Sequence, residues 1–539
     1  MTSGVGTVAE LLARVAGEKA QRGGLLVASE QGNFCEMPWR RVIELACQGA
    51  AALTKAGIEA GDRVAIAATN SLEWVVADFA VGMLGAVLVP LHTSLSGPQL
   101  AWQLRHSSSR LLIVGSAELH QKLAAHLPSD ASPLRIVSVS EWSAMIGQAS
   151  VATGQAHWQR TLATVTPNTL ASIVYTSGTS GEPKGVMLTQ GNLAANALAI
   201  VDRFGLQPNE CRLNTLPFSH AYGRMSDLYV SLAGNTRLGI GRNRESLVAD
   251  AQHVQPTLLV VVPLLLLRLQ QGATAKFGPD DPFAIRKLLG GQVRGFICGG
   301  ASLTSDLHAY FAAQQTPVWE GYGLTEASPV VSLSSPVASR ENSVGRVIAS
   351  EAKIAADGEL FIRGPQVMAG YWQDEASTRE VLDNGWLHTG DLARLDDDGY
   401  LLLLGRKKEF IALSTGKKVW PAQLEERFAH DPIIEQIIVV GEGQNALGAL
   451  IVPRQATWFG GDRNEDLSQF NTPAAHERML VHLAAKLVDC ADHEQIRHVR
   501  LLTEPFSAER EELTPKFTLR RPVILDHYAD CVRQMFCDD

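Results

Sequence analysis

Short apolar runs alternate with helical patterns early in the chain, and this alternation limits the possible folds more than any other feature. Strand patterns at residues 63–67, 86–89 and 111–114 are separated by residues 71–84 and 96–105, where apolar side chains recur with helical spacing. Strands that are joined through helices usually pair in parallel. The sequence therefore predicts an α/β fold with a largely parallel, doubly wound sheet.

The pattern changes after residue 351. Two pairs of short strand patterns are each joined by a turn containing Asp and Gly, which predicts hairpins at 352–356 with 359–363 and at 392–395 with 400–404. After Gly405 the pattern becomes α+β. We therefore expect a large N-terminal domain of doubly wound α/β subdomains plus a small β subdomain, residues 1–405, and a smaller α+β C-terminal domain, residues 406–539.

Length, charge and cysteine content narrow the class of protein. The chain has 539 residues, which is too many for a single core, and its net charge of −9 argues against a nucleic-acid-binding protein. Its seven cysteines are scattered without a Cys-x-x-Cys pair, which predicts a reducing, cytoplasmic location and no cysteine metal site. No secretory signal is apparent in residues 1–18, and the longest apolar run, 258–267, is too short to span a bilayer. These observations leave contact with a membrane surface as an alternative.

Residues 175–186, Tyr-Thr-Ser-Gly-Thr-Ser-Gly-Glu-Pro-Lys-Gly-Val, follow an apolar run that predicts a buried strand. Glycines let backbone N–H groups approach an anion, hydroxyl groups add donors, and Lys184 adds a positive charge suited to phosphate. The segment therefore predicts a loop that wraps a polyphosphate. It is not the ordinary P-loop, because Glu182 and Pro183 separate Gly181 from the lysine. The alternative is a solvated loop with an isolated lysine.

Three further segments contain residues suited to nucleotide chemistry. Tyr322 stands between two glycines, where its ring can stack on a purine, and it is followed by Thr325, a phosphate donor, and Glu326, a ligand suited to Mg²⁺. Residues 385–391 end in Asp391, an acceptor for ribose hydroxyls. His220 lies among aromatic and small residues. The alternatives are a capped turn for the first segment and a structural histidine for the last.

Together these segments resemble the adenylate-forming superfamily of acyl-CoA synthetases, luciferases and nonribosomal adenylation domains. The resemblance covers nearly the whole chain in the family's order, and it is most specific at residues 175–186, 321–326, 386–391 and 405–421. The last segment is most similar to the fatty acyl-CoA synthetase branch.

The resemblance implies ATP, Mg²⁺ and coenzyme A as cofactors. It implies catalytic roles for Lys184, His220, Thr325 and Glu326, with Glu326 as the Mg²⁺ ligand. The residues implied to bind ATP or CoA are Thr176, Ser177, Gly178, Thr179, Ser180, Gly181, Gly299, Gly300, Ala301, Glu320, Gly321, Tyr322, Gly323, Asp391, Arg406 and Gly416. It also implies that the C-terminal domain is mobile about a hinge near Lys408.

One position departs from the family pattern. The family carries a C-terminal lysine that contacts the carboxylate and the α-phosphate, often three residues after the proline of a Leu-Thr-Pro string, and here that position is Thr518. Lys516 lies two residues earlier, and residues two apart in an extended segment point to the same side. Our hypothesis is that Lys516 takes the catalytic role. The alternatives are weakened adenylation and an ordinary surface lysine.

The implied reaction is ATP-dependent activation of a carboxylic acid to acyl-AMP with release of pyrophosphate, followed by transfer to CoA. Candidate walls of the acyl site are residues 218–224, 258–267, 293–301 and 329–333. The aliphatic run 262–267 suits an apolar chain, with simple core packing as the alternative. The first two segments also lack an aspartate at their start, which favours a fatty or other apolar acid over an amino acid. Two alternatives remain: a ligase that loads an acyl carrier protein, and a non-catalytic acyl or nucleotide binder.

Overall fold

The computed structural model describes residues 5–18, 22–29, 32–127, 134–176, 183–207, 209–301, 303–407, 409–428, 431–458, 472–507, 510–513 and 519–537. Some of the predicted functional residues lie outside this part of the chain: Ser177, Gly178, Thr179, Ser180, Gly181, Lys408, Lys516 and Thr518.

The chain divides into two compact units. The first contains Met1–Ala355, Leu360–Thr389 and Leu395–Leu402, and the second contains Ala356–Glu359, Gly390–Arg394 and Leu403–Asp539. The predicted boundary between residues 405 and 406 and the predicted hinge stay predictions.

Three sheets are formed by the strands up to residue 406. In chain order these strands are β1 (Gly24–Ala28), β2 (Phe34–Pro38), β3 (Arg63–Ala67), β4 (Val87–Pro90), β5 (Leu111–Val114), β6 (Arg135–Ser138), β7 (Leu170–Thr176), β8 (Lys184–Thr189), β9 (Cys211–Asn214), β10 (Arg237–Ile240), β11 (Leu258–Val261), β12 (Gly295–Cys298), β13 (Val318–Gly323), β14 (Val330–Leu333), β15 (Arg346–Val347), β16 (Glu351–Ile354), β17 (Glu359–Arg363), β18 (Gly370–Tyr371), β19 (Leu382–Asp383), β20 (Trp386–Leu395) and β21 (Leu401–Arg406).

Helices connect most of these strands. They are α1 (Val8–Gly17), α2 (Trp39–Lys55), α3 (Leu72–Leu84), α4 (Gly97–His106), α5 (Ala117–Ala124), α6 (Val139–Gly147), α7 (Val151–Thr164), α8 (Gln190–Phe204), α9 (Ala221–Gly223), α10 (Val230–Ala233), α11 (Leu247–Val254), α12 (Pro263–Phe277), α13 (Ala284–Leu288), α14 (Ser305–Ala313) and α15 (Glu375–Val381). A π-helical turn, Arg224–Tyr229, joins α9 to α10, and a 3₁₀ turn covers Thr325–Ala327.

A seven-stranded sheet has the order β18-β8-β7-β4-β3-β5-β6. The strands from β7 to β6 are parallel, and β8 and β18 are antiparallel additions. The strands β3, β4 and β5 are almost wholly buried, as expected for parallel strands covered on both faces. The predicted helix after β3 begins behind Ser71, whose hydroxyl accepts from the N–H of Trp74. The predicted α/β fold class is confirmed.

A second sheet of nine strands has the order β15-β14-β13-β12-β11-β9-β10-β1-β2. The strands from β13 to β1 are parallel. The side chains of Leu259, Phe296 and Leu266 meet in the core between this sheet and its helices. Since β12 and β13 pair with Cys298 opposite Glu320, Gly299 and Gly321 follow at neighbouring positions.

A smaller sheet of five strands has the order β16-β17-β20-β19, with β21 paired to β20. Both predicted hairpins are confirmed. The turn at Asp357-Gly358 joins β16 to β17, where Glu351 pairs with Arg363, and Gly358 adopts φ +88°. Gly399 adopts φ +78° in the turn between β20 and β21. Positive φ suits glycine in both turns.

The second unit contains a three-stranded sheet with helices on both faces, formed in this order by β24 (Ile434–Val440), β25 (Leu447–Pro453) and β26 (Ile496–Leu501). Alternate residues of one strand face opposite cores, with Val439 on one side and Ile438 on the other. The remaining elements are β22 (Ile411–Ala412), β23 (Lys418–Val419), α16 (Pro421–Glu426), α17 (Gln455–Trp458), α18 (Pro473–Lys486), α19 (Arg521–His527) and α20 (Ala529–Met535). The predicted α+β character is confirmed.

Among the described residues, every helix falls short of the length and apolarity that crossing a membrane requires. The apolar run at residues 258–267 is divided between β11 and the start of α12.

Candidate active site

The phosphate-binding loop predicted from the sequence is attached to two paired strands. Thr176 ends β7, Lys184 begins β8, and the two residues lie opposite each other in the antiparallel ladder. Lys184 is therefore positioned by a sheet at the base of the loop.

Two side chains from a distant segment hold the Lys184 ammonium group. Its Nζ donates to Ser377 Oγ at 2.7 Å and lies 5.1 Å from the centroid of the Tyr371 ring. A cation over a tyrosine ring is attracted by the negative charge on the ring face. The segment that carries both residues was not predicted to be functional.

Glu326 also contacts Tyr371, through the hydroxyl group. The Tyr371 hydroxyl donates to Glu326 Oε1 at 2.9 Å, and the Glu326 carbonyl accepts from the N–H of Met368 at 2.8 Å. The predicted phosphate-binding lysine and the predicted metal ligand are far apart in the sequence, and both contact one tyrosine side chain.

Asp374 belongs to the same cluster of side chains as Lys184, Glu326, Tyr371 and Ser377. It caps the N-terminus of α15, and its Oδ1 accepts from the N–H of Ser377 at 2.9 Å. The pKa of Asp374 lies below its ordinary value, first because Ser377 donates hydrogen bonds to it and further because the positive charge of Lys184 is near. Asp374 therefore stays ionised and fixes the position of Ser377.

Two of the predicted nucleotide-binding glycines, Gly299 and Gly323, lie close to neighbouring backbone. A Cβ at Gly299 would lie 3.0 Å from the Gly321 carbonyl and 3.3 Å from the Tyr222 ring. A Cβ at Gly323 would overlap the Pro329 carbonyl. Gly300 adopts φ +86°, which also favours glycine. The backbone at the ends of β12 and β13 is therefore closely packed, and Tyr322 lies on β13.

His220 has a partner that sequence reasoning missed. Its ring lies 3.9 Å from the ring of His92, measured between centroids, and His92 Nδ1 is hydrogen-bonded to Ser219 Oγ at 3.1 Å. His92 lies two residues beyond the end of β4, on the carboxyl side of a parallel strand. Ligands of doubly wound sheets bind at such ends. This position was the available signal for His92.

A buried ion pair fixes the π-helical turn that follows His220. Arg224 donates to Asp78 Oδ2 from Nε at 2.9 Å and to Ser172 Oγ from Nη1 at 2.9 Å. All three side chains are buried, and Ser172 lies on β7, the strand that leads into the predicted phosphate loop.

The same turn carries Asp227, which is fully buried. Its Oδ2 accepts from Asn214 Nδ2 at 2.8 Å. Burial raises the pKa of Asp227 to about 7, although Asn214 and the positive charge of Arg212 act in the opposite direction.

The predicted ribose-binding pair lies in the second unit. Arg406 Nε contacts Asp391 Oδ1 at 2.9 Å, and Asp391 is buried. The next residue, Lys407, contacts Glu359 Oε2 at 2.7 Å and Asp357 Oδ2 at 2.6 Å. Gly416 lies in the tight turn between β22 and β23 with φ +77°, and a Cβ there would meet open space.

The aliphatic run proposed as an acyl wall contributes partly to the core. Residues 258–261 form β11 and are wholly buried, and Leu266 packs in the core of the nine-stranded sheet. Leu264 remains 36% exposed.

The described residues contain no group of three or more His, Cys, Asp or Glu side chains that could hold a metal ion. Mg²⁺ is commonly bound by one or two carboxylates together with substrate phosphates and water. Glu326 fits that mode, since it is a carboxylate that contacts the same tyrosine as the predicted phosphate-binding lysine.

A doubly wound sheet, with a lysine and a carboxylate that both contact one tyrosine beside a Gly- and Ser-rich segment, is typical of an enzyme that acts on a nucleotide. Residues 18–372 match the family described as AMP-binding enzyme, and residues 408–539 match the AMP-binding enzyme C-terminal domain. The chain therefore belongs to the AMP-binding enzyme family, and the predicted superfamily is confirmed.

Known proteins resemble the chain over most of its length. The long-chain-fatty-acid–CoA ligase FadD15 of Mycobacterium bovis is 30% identical, over 90% of this chain and 89% of that protein. The chloroplastic long-chain-fatty-acid–[acyl-carrier-protein] ligase AEE15 of Arabidopsis thaliana is 26% identical, over 89% of this chain and 80% of that protein. The structure of ATP-bound MatB from Rhodopseudomonas palustris matches this structure with a TM-score of 0.78 and 22% sequence identity. The match covers 97% of this chain and 99% of the MatB chain, and it supports the fold.

Proposed function

We propose that the protein is an AMP-forming acyl-CoA synthetase that activates a fatty acid with ATP and transfers the acyl group to CoA. The observation that carries this proposal is the contact of Lys184 and Glu326 with one tyrosine at the base of the predicted phosphate loop. The fatty acid is supported by the similarity to a long-chain-fatty-acid–CoA ligase.

The first step joins two anions. A carboxylate oxygen of the acid bonds to the α-phosphorus of ATP, the bond from that phosphorus to pyrophosphate breaks, and acyl-AMP forms. This step requires positive charge and oriented donors where negative charge develops. In the proposal Lys184 and the loop from Thr176 to Gly181 bind the β- and γ-phosphates. Thr325 donates to the α-phosphate.

Glu326 holds Mg²⁺ in this proposal, and the ion neutralises phosphate charge when it is bound. Gly299, Gly300 and Ala301 bind the adenine side of the nucleotide together with residues 320–323, among which Tyr322 stacks on the base. His220 lines the acyl site near the carboxylate, and Lys516 takes the role of the family lysine.

Asp391 accepts from the ribose hydroxyls, and Arg406 supports it through the ion pair at 2.9 Å.

In the second step the CoA sulfur bonds to the acyl carbon, the bond from that carbon to AMP breaks, and the thiol loses its proton. Gly416 faces the thiol in this proposal. The domain boundary at residues 405 and 406 and the hinge near Lys408 belong to the same proposal.

An acyl carrier protein is the one alternative to CoA as the acceptor of the acyl group. Similarity to an acyl-carrier-protein ligase supports a carrier protein in place of CoA. The two candidates are distinguished by incubating the enzyme, ATP and a fatty acid with either free CoA or a phosphopantetheinylated carrier protein. Consumption of free CoA supports the first, whereas acylation of the carrier protein alone supports the second.

A cytoplasmic location is supported by seven free cysteine thiols, and peripheral membrane contact stays a proposal.

Acid-dependent exchange of labelled pyrophosphate into ATP tests the first step. We expect Lys184→Ala to lower the exchange rate by a factor of about 100, because a charge-assisted contact to phosphate is lost at the reacting group. Lys122→Ala on the exposed face of α5 is the matched control and should keep the rate of the unaltered protein. Equal exchange by both variants would contradict the proposed role of Lys184.

A further inference from the structure

We propose that Tyr371 is a positioning residue that holds the phosphate-binding cation Lys184 and the Mg²⁺ ligand Glu326 in one fixed arrangement. The inference rests on the proposed function, and it adds a residue that the sequence motifs did not indicate.

The backbone and the side chain of Tyr371 are both held in place. Strand β18 pairs with β8, so that Tyr371 lies opposite Val186, two residues from Lys184. The N–H of Tyr371 donates to Thr378 Oγ1 at 2.9 Å, and the residue is only 8% exposed. Because the ring is buried and its backbone is paired, its hydroxyl points in a fixed direction.

The hydroxyl orients the Glu326 carboxylate. It donates to Oε1 at 2.9 Å. A carboxylate accepts at two oxygens, so a donor on one oxygen sets the plane of the group and leaves the other oxygen for a metal ion. Donors that orient metal-binding carboxylates commonly change metal affinity by a factor of about 10 to 100.

The ring face acts on the lysine. Lys184 Nζ lies 5.1 Å from the ring centroid while it donates to Ser377 Oγ. Asp374, which accepts from Ser377, adds a negative charge behind this contact. One side chain therefore contributes its hydroxyl to the metal ligand and its ring to the phosphate cation, and the two contributions are separable by substitution.

Isothermal titration calorimetry of ATP without acid or CoA tests this separation. In Tyr371→Phe the ring stays and the hydroxyl is lost, so we expect the Kd for ATP with Mg²⁺ to rise about tenfold. The Kd for ATP with EDTA should change by less than about twofold, since the lysine keeps its ring contact. In Tyr371→Leu both Kd values should rise.

Controls and a second variant complete the test. Tyr310→Phe on α14 removes a hydroxyl elsewhere in the same unit and should leave both Kd values unchanged. Glu326→Gln should weaken only the binding that requires Mg²⁺, and adding Tyr371→Phe to it should cost less than about twofold more, because the two residues act together.

Two results would overturn the inference while the proposed function stands: unaltered Mg²⁺-dependent binding in Tyr371→Phe, or equal weakening with and without Mg²⁺. If the unaltered protein itself fails to bind ATP with Mg²⁺, both the proposed function and the inference are wrong.

Discussion

His92 and His220 place two imidazole rings 3.9 Å apart beside the segment that the family resemblance assigns to the acyl site. Ser219 Oγ fixes the orientation of His92 through Nδ1.

His92→Ala should raise the KM for the fatty acid about tenfold, because the lost imidazole weakens contact with an anion. The KM for ATP should change by less than about twofold. Steady-state kinetics with each substrate varied in turn measures both values. His120→Ala on the exposed part of α5 is the control, and a variant of His92 with the KM of the unaltered protein would exclude a role in acid recognition.

Roles for single residues could be predicted where one motif contains the relevant side chains. Lys184, Glu326 and Asp391 were predicted from short segments, and the structure places the first two in contact with a common tyrosine. Tyr371 and His92 were not found, because their roles come from contacts with residues that are far away in the sequence. A single sequence does not show such contacts directly, and for His92 the available signal was its position just after β4.

At the scale of elements, the bounds of the strands in the seven-stranded sheet, and of the helices that connect them, were predicted closely. The strands at residues 63–67 and 111–114 have those same bounds in the structure, since apolar runs and caps are local signals. The π-helical turn Arg224–Tyr229 was not predicted. It is fixed by Arg224 and Asp78, which are 146 residues apart in the sequence.

Asp227 in this turn should make stability depend on pH. Burial raises the pKa of Asp227 to about 7 in the folded protein, so the folded state binds more protons than the unfolded state between about pH 4 and 7. The stability contribution of this residue is therefore lost as pH rises through 7.

Asp227→Asn should gain thermal stability relative to the unaltered protein as pH rises from 5 to 8, because asparagine does not ionise. The difference between the two unfolding midpoints, measured across this range, checks the sign. Asp306→Asn at an exposed position of α14 should show a constant difference. A constant difference for Asp227→Asn as well would show that its carboxyl does not titrate in this range.

At the scale of the whole molecule, the proposed function requires two half-reactions from one chain. The proposal assigns Asp391 and Arg406 to the first half-reaction and Gly416 to the second. A substitution at Gly416 should therefore separate the two half-reactions.

Gly416→Ala should slow acyl transfer to CoA roughly tenfold while pyrophosphate exchange stays within about twofold. The substitution strains the turn, because Gly416 adopts φ +77°. Gly399→Ala is the matched control, since Gly399 has φ +78° and equally open surroundings. Loss of both half-reactions in the Gly416 variant would contradict a role confined to the thiol step.

The most direct test of the account is mass spectrometry of the products after the protein is incubated with ATP, Mg²⁺, CoA and carboxylic acids of graded length. The account predicts acyl-CoA of a fatty acid together with AMP and pyrophosphate in equal amounts. Formation of ADP and phosphate, or no acyl-AMP and no acyl-CoA from any acid in the series, would contradict it.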